Sequence, residues 1–200
     1  MTDSLAIEIL TGRDPTFAAR VPDLARLRIE VFREFPYLYD GSLAYEEQYL
    51  AKYLNCLDSV AVLVRDGERV IGASTGLPLA AETEKVGRAF RTAGYNPAEI
   101  FYCGESVLLS HYRGRGIYRE FFGAREQHAR ALGSFRWMAL CAVMRPVDHP
   151  RRPADYVPLD ASWQKFGYAR HPTLTTYYEW QDLDESSPSP KEMALWLKTL

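Results

Sequence analysis

The stretch His111-Tyr112-Arg113-Gly114-Arg115-Gly116-Ile117-Tyr118 decides how this chain is read. Ile100 to Leu109, an apolar run with Glu105 inside it, leads in and reads as a strand. Ile117 to Leu132 leads out with helical periodicity. A strand, a turn with two glycines and a basic helix start make an anion cradle, or else a plain surface turn with two incidental glycines. The first N–H groups of a helix lack partners, and the aligned peptide dipoles favour negative charge there. Arg113 and Arg115 add side-chain charge. The spacing is not that of a P-loop, since no Gly-Lys-Ser/Thr follows, and the third glycine of a dinucleotide fingerprint would fall at Arg119.

The 200 residues, 47% of them apolar, suffice for one domain with a substantial core. A net charge of -2 gives no support for nucleic-acid binding. Cys56, Cys103 and Cys141 lie far apart, which points to reduced thiols in a cytoplasmic chain, and no pair has metal-ligand spacing. Met1-Thr2-Asp3-Ser4 begins no signal peptide, and no run approaches the ~20 apolar residues of a membrane helix.

Working outward, Leu5 to Leu10 reads as a first strand. Val21 to Phe32 reads as a helix with Pro22 in its first turn, and Leu43 to Leu54 as a second helix with a polar face at Glu46, Glu47 and Lys52. Tyr37 to Ser42 is an aromatic loop between them. Val60 to Val64 and Val70 to Leu79 form a hairpin about Asp66-Gly67, and Glu82 to Thr92 a short helix. Trp137 to Val143 is strand-like, so strand, helix and strand suggest a parallel crossover. Arg145 to Pro158 is an ordered loop or lid. Leu159 to Phe166 is a short helix, and Thr173 to Trp180 supplies strand material. Residues 1–183 thus form one domain. Asp184 to Pro190 reads as a mobile link, and Lys191 to Leu200 as a terminal amphipathic turn or helix.

At His111 to Gly116 the chain resembles the acyl-CoA-binding motif of the GCN5-related N-acetyltransferase superfamily, Q/R-x-x-G-x-G/A. His111 stands at the Gln/Arg position and Gly114 and Gly116 at the two glycines. Element order and the late Ser162-Trp163-Gln164-Lys165-Phe166-Gly167-Tyr168 are similar too, and the resemblance covers roughly Leu5 to Trp180. It implies an α/β fold (α+β by some schemes). The sheet would be central, mixed, mostly antiparallel and twisted, with helices on both faces and a splayed parallel strand pair. It also implies acetyl-CoA or coenzyme A as co-substrate and no metal. Its phosphates would lie at Arg113, Gly114, Arg115, Gly116, Ile117 and Tyr118, and its pantetheine arm at Val107, Leu108 and Leu109. Trp163 stands where many members carry a tyrosine, and either packs on the cofactor or belongs to the core.

Acyl transfer to an amine needs a base, and Glu105, alone in an apolar strand, is the candidate. Desolvation among Val107 and Leu109 would raise its pKa. A structural carboxylate paired with Arg or Tyr is the alternative. Tyr156, Tyr168, Tyr177 and Tyr178 are candidate acids, Tyr156 and Tyr178 being preferred, unless no acid is needed. Tyr37 and Tyr39, in the early loop, and His149, Arg151 and Arg152, in the Pro-rich loop, are candidates for binding acceptor; loop packing and surface polarity account for them as well. The leading reading is an N-acyltransferase for a small-molecule amine, with no nucleic-acid or membrane partner and a homodimer as an option. A non-catalytic or regulatory acyl-CoA-binding module and a protein-lysine or hydroxyl acetyltransferase are the alternatives.

Overall fold

The structure, a computed structural model, describes residues 5–200, so the reading of Met1 to Ser4 lies outside the described residues. The elements in order are β1 (Ala6–Thr11), α1 (Phe17–Phe32), α2 (Leu43–Leu54), β2 (Val60–Asp66), β3 (Arg69–Pro78), α3 (Glu84–Thr92), β4 (Ile100–Leu108), α4 (Ile117–Leu132), β5 (Trp137–Val143), α5 (Asp160–Lys165), β6 (Ala169–Trp180) and β7 (Ser189–Thr199). Among the described residues the strands make one sheet in the order β1-β2-β3-β4-β5-β7-β6. The β4–β5 pair is parallel and every other pair antiparallel. The helix α4 carries the parallel crossover and packs on β2 to β4, while α1 and α2 pack together with α1 against β3 and β4. Helices therefore flank both faces of a mixed, mostly antiparallel sheet. No helix of the described residues is long and apolar enough to cross a membrane.

Two features of this sheet position the site. First, β4 and β5 pair only from Ile100↔Trp137 to Cys103↔Leu140, although both strands continue. Beyond that point they splay. Second, the register of β3 against β4 jumps from Gly76↔Cys103 to Ser74↔Ser106, so β4 carries one extra residue at Gly104-Glu105, a β-bulge. Gly104 is needed there because Tyr53 of α2 presses onto the bulge. A Cβ on Gly104 would lie 1.9 Å from the Tyr53 hydroxyl oxygen.

Lys191 to Leu200, expected as an amphipathic turn or helix, is the strand β7, inserted between β5 and β6. Met193, Ala194, Leu195, Trp196 and Leu197 are all buried, as in any strand covered on both faces. Such a strand reads as a continuous apolar run that periodicity cannot tell from a helix. Nor does the segment before it behave as a free link. The N–H of Asp182 and the Nζ of Lys191 both donate to Glu185, at 3.0 and 2.7 Å. Replacing Leu195, fully buried in β7, by alanine is expected to cost about 2–5 kcal/mol in urea unfolding. A substitution in a dangling appendage would leave the midpoint where it was.

Two smaller expectations also shift. The helix α1 begins at Phe17, so Pro22 lies within it rather than in the first turn, and the bond its N–H would make to the Ala18 carbonyl is absent. On α2, Glu46 is fully buried and lies inward with Tyr49, Leu50 and Tyr53, which share its face at helical spacing.

Candidate active site

The splay opens a cleft of about 970 Å³. At one end is the glycine turn. Gly114 and Gly116 have φ of 79° and 83°, the left-handed region that glycine adopts at little cost. Gly116 is the N-cap of α4. A Cβ on either glycine would meet nothing within 4 Å, so their backbone faces open space. The turn therefore has what an anion cradle needs: a helix start with orphan N–H groups, and room for a ligand to approach them. The arginine side chains are engaged elsewhere. Arg113 pairs with Glu34 at 2.7 Å, and Arg115 donates to the His111 carbonyl at 3.3 Å. The main chain is what the cradle offers.

The bulge moves the usable edge of β4 by one residue. The Leu109 N–H donates to the Ile71 carbonyl of β3 at 3.0 Å. Backbone groups alternate along an antiparallel strand, so those of Ser106 and Leu108 face the gap. The Leu108 carbonyl accepts from Arg113 Nε at 3.3 Å. Of the three residues expected to flank a pantetheine arm, Leu108 lines the cleft, whereas Val107 is wholly buried and neither it nor Leu109 lines it. Ser106 does, and the sequence reading missed it. A glycine within a strand pattern was the available signal for a bulge, and hence for the shifted alternation. Trp163 lines the same cleft, donates to the Tyr118 hydroxyl at 3.4 Å and packs edge-on against Trp196.

Glu105, on the bulge, does not sit among apolar neighbours. It is an ion-pair partner of Arg28, 2.6 Å away, and accepts from the Tyr49 hydroxyl at 3.3 Å. Arg28 also pairs with Glu46, so one guanidinium from α1 ties a carboxylate of α2 to one of β4. Burial works against the Arg28 charge, but the carboxylates of Glu105 and Glu46 hold it firmly protonated. Beside this trio, Lys52 pairs with Glu82 at 2.6 Å and lies 3.8 Å over the Tyr49 ring. Three elements must fold before these groups meet, so only the types of partner for Glu105, not their identities, were legible beforehand. One oxygen each of Glu46 and Glu105, Oε1, is buried with no hydrogen-bond partner.

A second, smaller pocket of about 90 Å³ lies on the α1–α2 side and shares Gly104, Cys141, Phe32 and Tyr37 with the cleft. Tyr37, Tyr39, Tyr45, Tyr49, Tyr178 and Trp180 supply much of its aromatic wall, and Glu46 lines it. The expected acceptor residues separate here. Tyr37 and Tyr39 line the small pocket. Arg151 and Tyr156 line the larger cleft, and the Pro-rich loop docks over Phe35, with the Tyr156 ring edge-on at 4.7 Å and Arg152 above. His149 packs against Phe35, and its Nδ1 accepts from the Arg151 N–H. Neither His149, Arg151 nor Arg152 lines the small pocket. The two preferred candidate acids also divide, Tyr156 to the cleft and Tyr178 to the small pocket, where the Tyr178 hydroxyl is 3.3 Å from that of Tyr102. Burial raises both phenols above the usual tyrosine value, which keeps them protonated.

Cys141, on β5 just past the last residue paired with β4, belongs to both cavities and was not singled out in the sequence. Burial pushes its thiol up to about 12, and the Tyr102 hydroxyl lies 2.8 Å from its sulfur. Since the thiolate is the nucleophile, iodoacetamide should alkylate Cys141 very slowly at pH 8, with a rate still climbing at pH 10. Peptide mass spectrometry reads both; full labelling within minutes at pH 8 would contradict this setting.

No protein-family model and no curated protein matches the sequence. Solved structures do match the fold. An acetyltransferase of the GNAT family from Streptococcus pneumoniae superposes with a TM-score of 0.57 at 14% identity, over 98% of this chain and 100% of that one. Ribosomal-protein-alanine N-acetyltransferase from Brucella melitensis gives 0.61 at 14% identity, over 98% and 99%. The paiA N-acetyltransferase of Thermoplasma acidophilum, in complex with coenzyme A, gives 0.56 at 14% identity, over 98% and 99%. At these identities the likeness is one of fold.

Proposed function

With the fold of the GCN5-related N-acetyltransferases as premise, we propose that this chain transfers an acetyl group from acetyl-CoA to the amine of a small molecule within a ternary complex. The observation that carries the reading is the open glycine cradle at one end of a cleft that runs along the unpaired edge of β4 to a buried carboxylate. Bound acetyl-CoA supplies the activated acyl group. The N–H groups from Gly114 to Tyr118 hold its pyrophosphate, the expected Arg113 N–H being already given to the Ser110 carbonyl, and the gap-facing groups of Ser106 with the Leu108 N–H pair with its pantetheine amides, the Leu108 carbonyl being held by Arg113. This orients the thioester near the bulge, where a backbone N–H stabilises the oxyanion as the acyl carbon becomes tetrahedral. Glu105 accepts the proton that the attacking amine loses. A phenol returns a proton to sulfur, from Tyr156 on one side of the splay or Tyr178 on the other. The separated free cysteines support a reducing, cytoplasmic setting.

A binding module without chemistry is the second reading, favoured by Trp163, whose indole cannot protonate a thiolate. Titrating coenzyme A by calorimetry and following thiol release from acetyl-CoA across an amine panel separates the two. The enzyme binds coenzyme A and releases thiol with at least one amine. Binding without release for the whole panel would leave the module, and no binding would remove both.

A further inference from the structure

The small pocket combines three properties that the acyl-transfer chemistry alone does not require. Its wall is largely aromatic, with the rings of Tyr39, Tyr45, Tyr49 and Trp180 among those that line it. Glu46, fully buried, lines it; its Oε1 has no hydrogen-bond partner, and burial together with the Glu46 carboxylate beside it raises the Tyr39 phenol above its usual value. Where it meets the larger cleft, at Gly104, the neighbouring Glu105 also has an unpartnered Oε1. Arg28 is shared by the two carboxylates of Glu46 and Glu105, and each of them keeps one oxygen that no donor reaches. Lys52 pairs with Glu82, and the buried Arg125 donates to the backbone carbonyl of Glu105, so neither cation is bonded to those two oxygens. A buried carboxylate oxygen without a donor is costly, and ring faces attract cations.

We infer that this pocket admits the acceptor as a cation: a compact primary ammonium compound with an apolar body and no carboxylate. Resting on the acyl-transfer reading for its consequence, the inference makes Glu46 a specificity-determining residue. It receives the ammonium through Oε1, while Glu105 receives the proton given up before attack. A carboxylate next to the amine would meet Glu46 and Glu105 with Arg28 already committed to both, so zwitterionic amino acids are excluded by repulsion. A hydroxyl in place of the ammonium brings a single O–H donor instead of three N–H donors, and no charge.

The test uses benzylamine, cationic at pH 7; benzyl alcohol, of nearly the same shape; and phenylglycine, which adds a carboxylate at the benzylic carbon. Each is titrated by calorimetry into the wild-type protein, with and without saturating coenzyme A. Benzylamine is expected to bind at least tenfold tighter than either of the others, a difference of about 1.4 kcal/mol. Glu46→Gln is expected to abolish that preference and leave the coenzyme A affinity unchanged. Because Glu46 is buried, the wild-type comparison stands whether or not the variant folds. Equal binding of alcohol and amine, tighter phenylglycine, no benzylamine binding at millimolar concentration, or a folded E46Q protein that keeps the preference would each overturn the inference. A short peptide amide binding tighter than benzylamine through its amino terminus would overturn the small-molecule class. Failure of the coenzyme A titration alone would instead remove the acyl-transfer reading and leave the cation pocket standing.

Discussion

Replacing Glu105 by glutamine is expected to lower kcat at neutral pH by about 10²–10⁴-fold while coenzyme A binds as before, the contribution typical of a positioned general base. Glutamine keeps the side-chain shape on the bulge but accepts no proton. The loss should shrink as pH rises, because more of the acceptor amine arrives already neutral. Arg28 makes the substitution structurally costly as well: it loses one of its two carboxylates and keeps Glu46. Breaking one contact of a buried pair costs about 3–5 kcal/mol when the remaining charge is left uncompensated, and less here because Glu46 stays. The stability of E105Q must therefore be measured beside its rate. If product release limits the parent enzyme, single-turnover rates are the fair comparison. A folded E105Q protein with the parent single-turnover rate and the parent pH profile would sink the base assignment and leave Glu105 as the carboxylate that moors Arg28 to β4.

Replacing Gly114 by valine is expected to weaken coenzyme A binding about 100-fold. At φ of 79° a β-branched residue is strained by about 1–3 kcal/mol, and each 1.4 kcal/mol is a factor of ten if the turn relaxes away from its binding shape. The new side chain would also project into the open space in front of the cradle. The chain provides its own control in Gly123, which sits on the exposed face of the same helix with ordinary helical φ and nothing near its missing Cβ. Gly123→Ala should leave the affinity untouched and stabilise the helix by about 1 kcal/mol. Calorimetry on the two variants reads the contrast. A folded G114V protein with parental affinity would mean that the phosphates lie elsewhere.

The glycine turn and the strands around it were legible because each depends on neighbours in sequence. A glycine pair at a strand-to-helix junction has few conformations open to it, and Val60 to Asp66 turning into Arg69 to Pro78 is a local event. The parallel strand pair followed from the order strand, helix, strand. What stayed hidden depends on distant partners. β7 is buried on both faces, which erases the alternation that would mark a strand. Glu46 on α2 looked like part of a solvated face because its partners, Arg28 and the pocket, are supplied by α1 and the sheet. For Glu105 an apolar setting was the leading reading and pairing with Arg or Tyr the alternative; the structure has the alternative's partners, for the same reason. Val107 and Leu109 are its neighbours along the chain, but the residues that touch it come from α1 and α2.

The position of β7 also orders events during synthesis. Within the sheet β6 touches only β7, and β5 has its second edge free until β7 arrives. A ribosome makes β6 first, so two strand edges wait open for the residues that will wedge between them. At about 5–20 residues per second, the interval from mid-β6 to the end of β7 is on the order of seconds. Until β7 pairs, the edge of β5 has no partner and is open to any stray strand. The wedge strand is therefore the step at which a chaperone, or a neighbouring nascent chain, has the most influence over whether the molecule closes on itself.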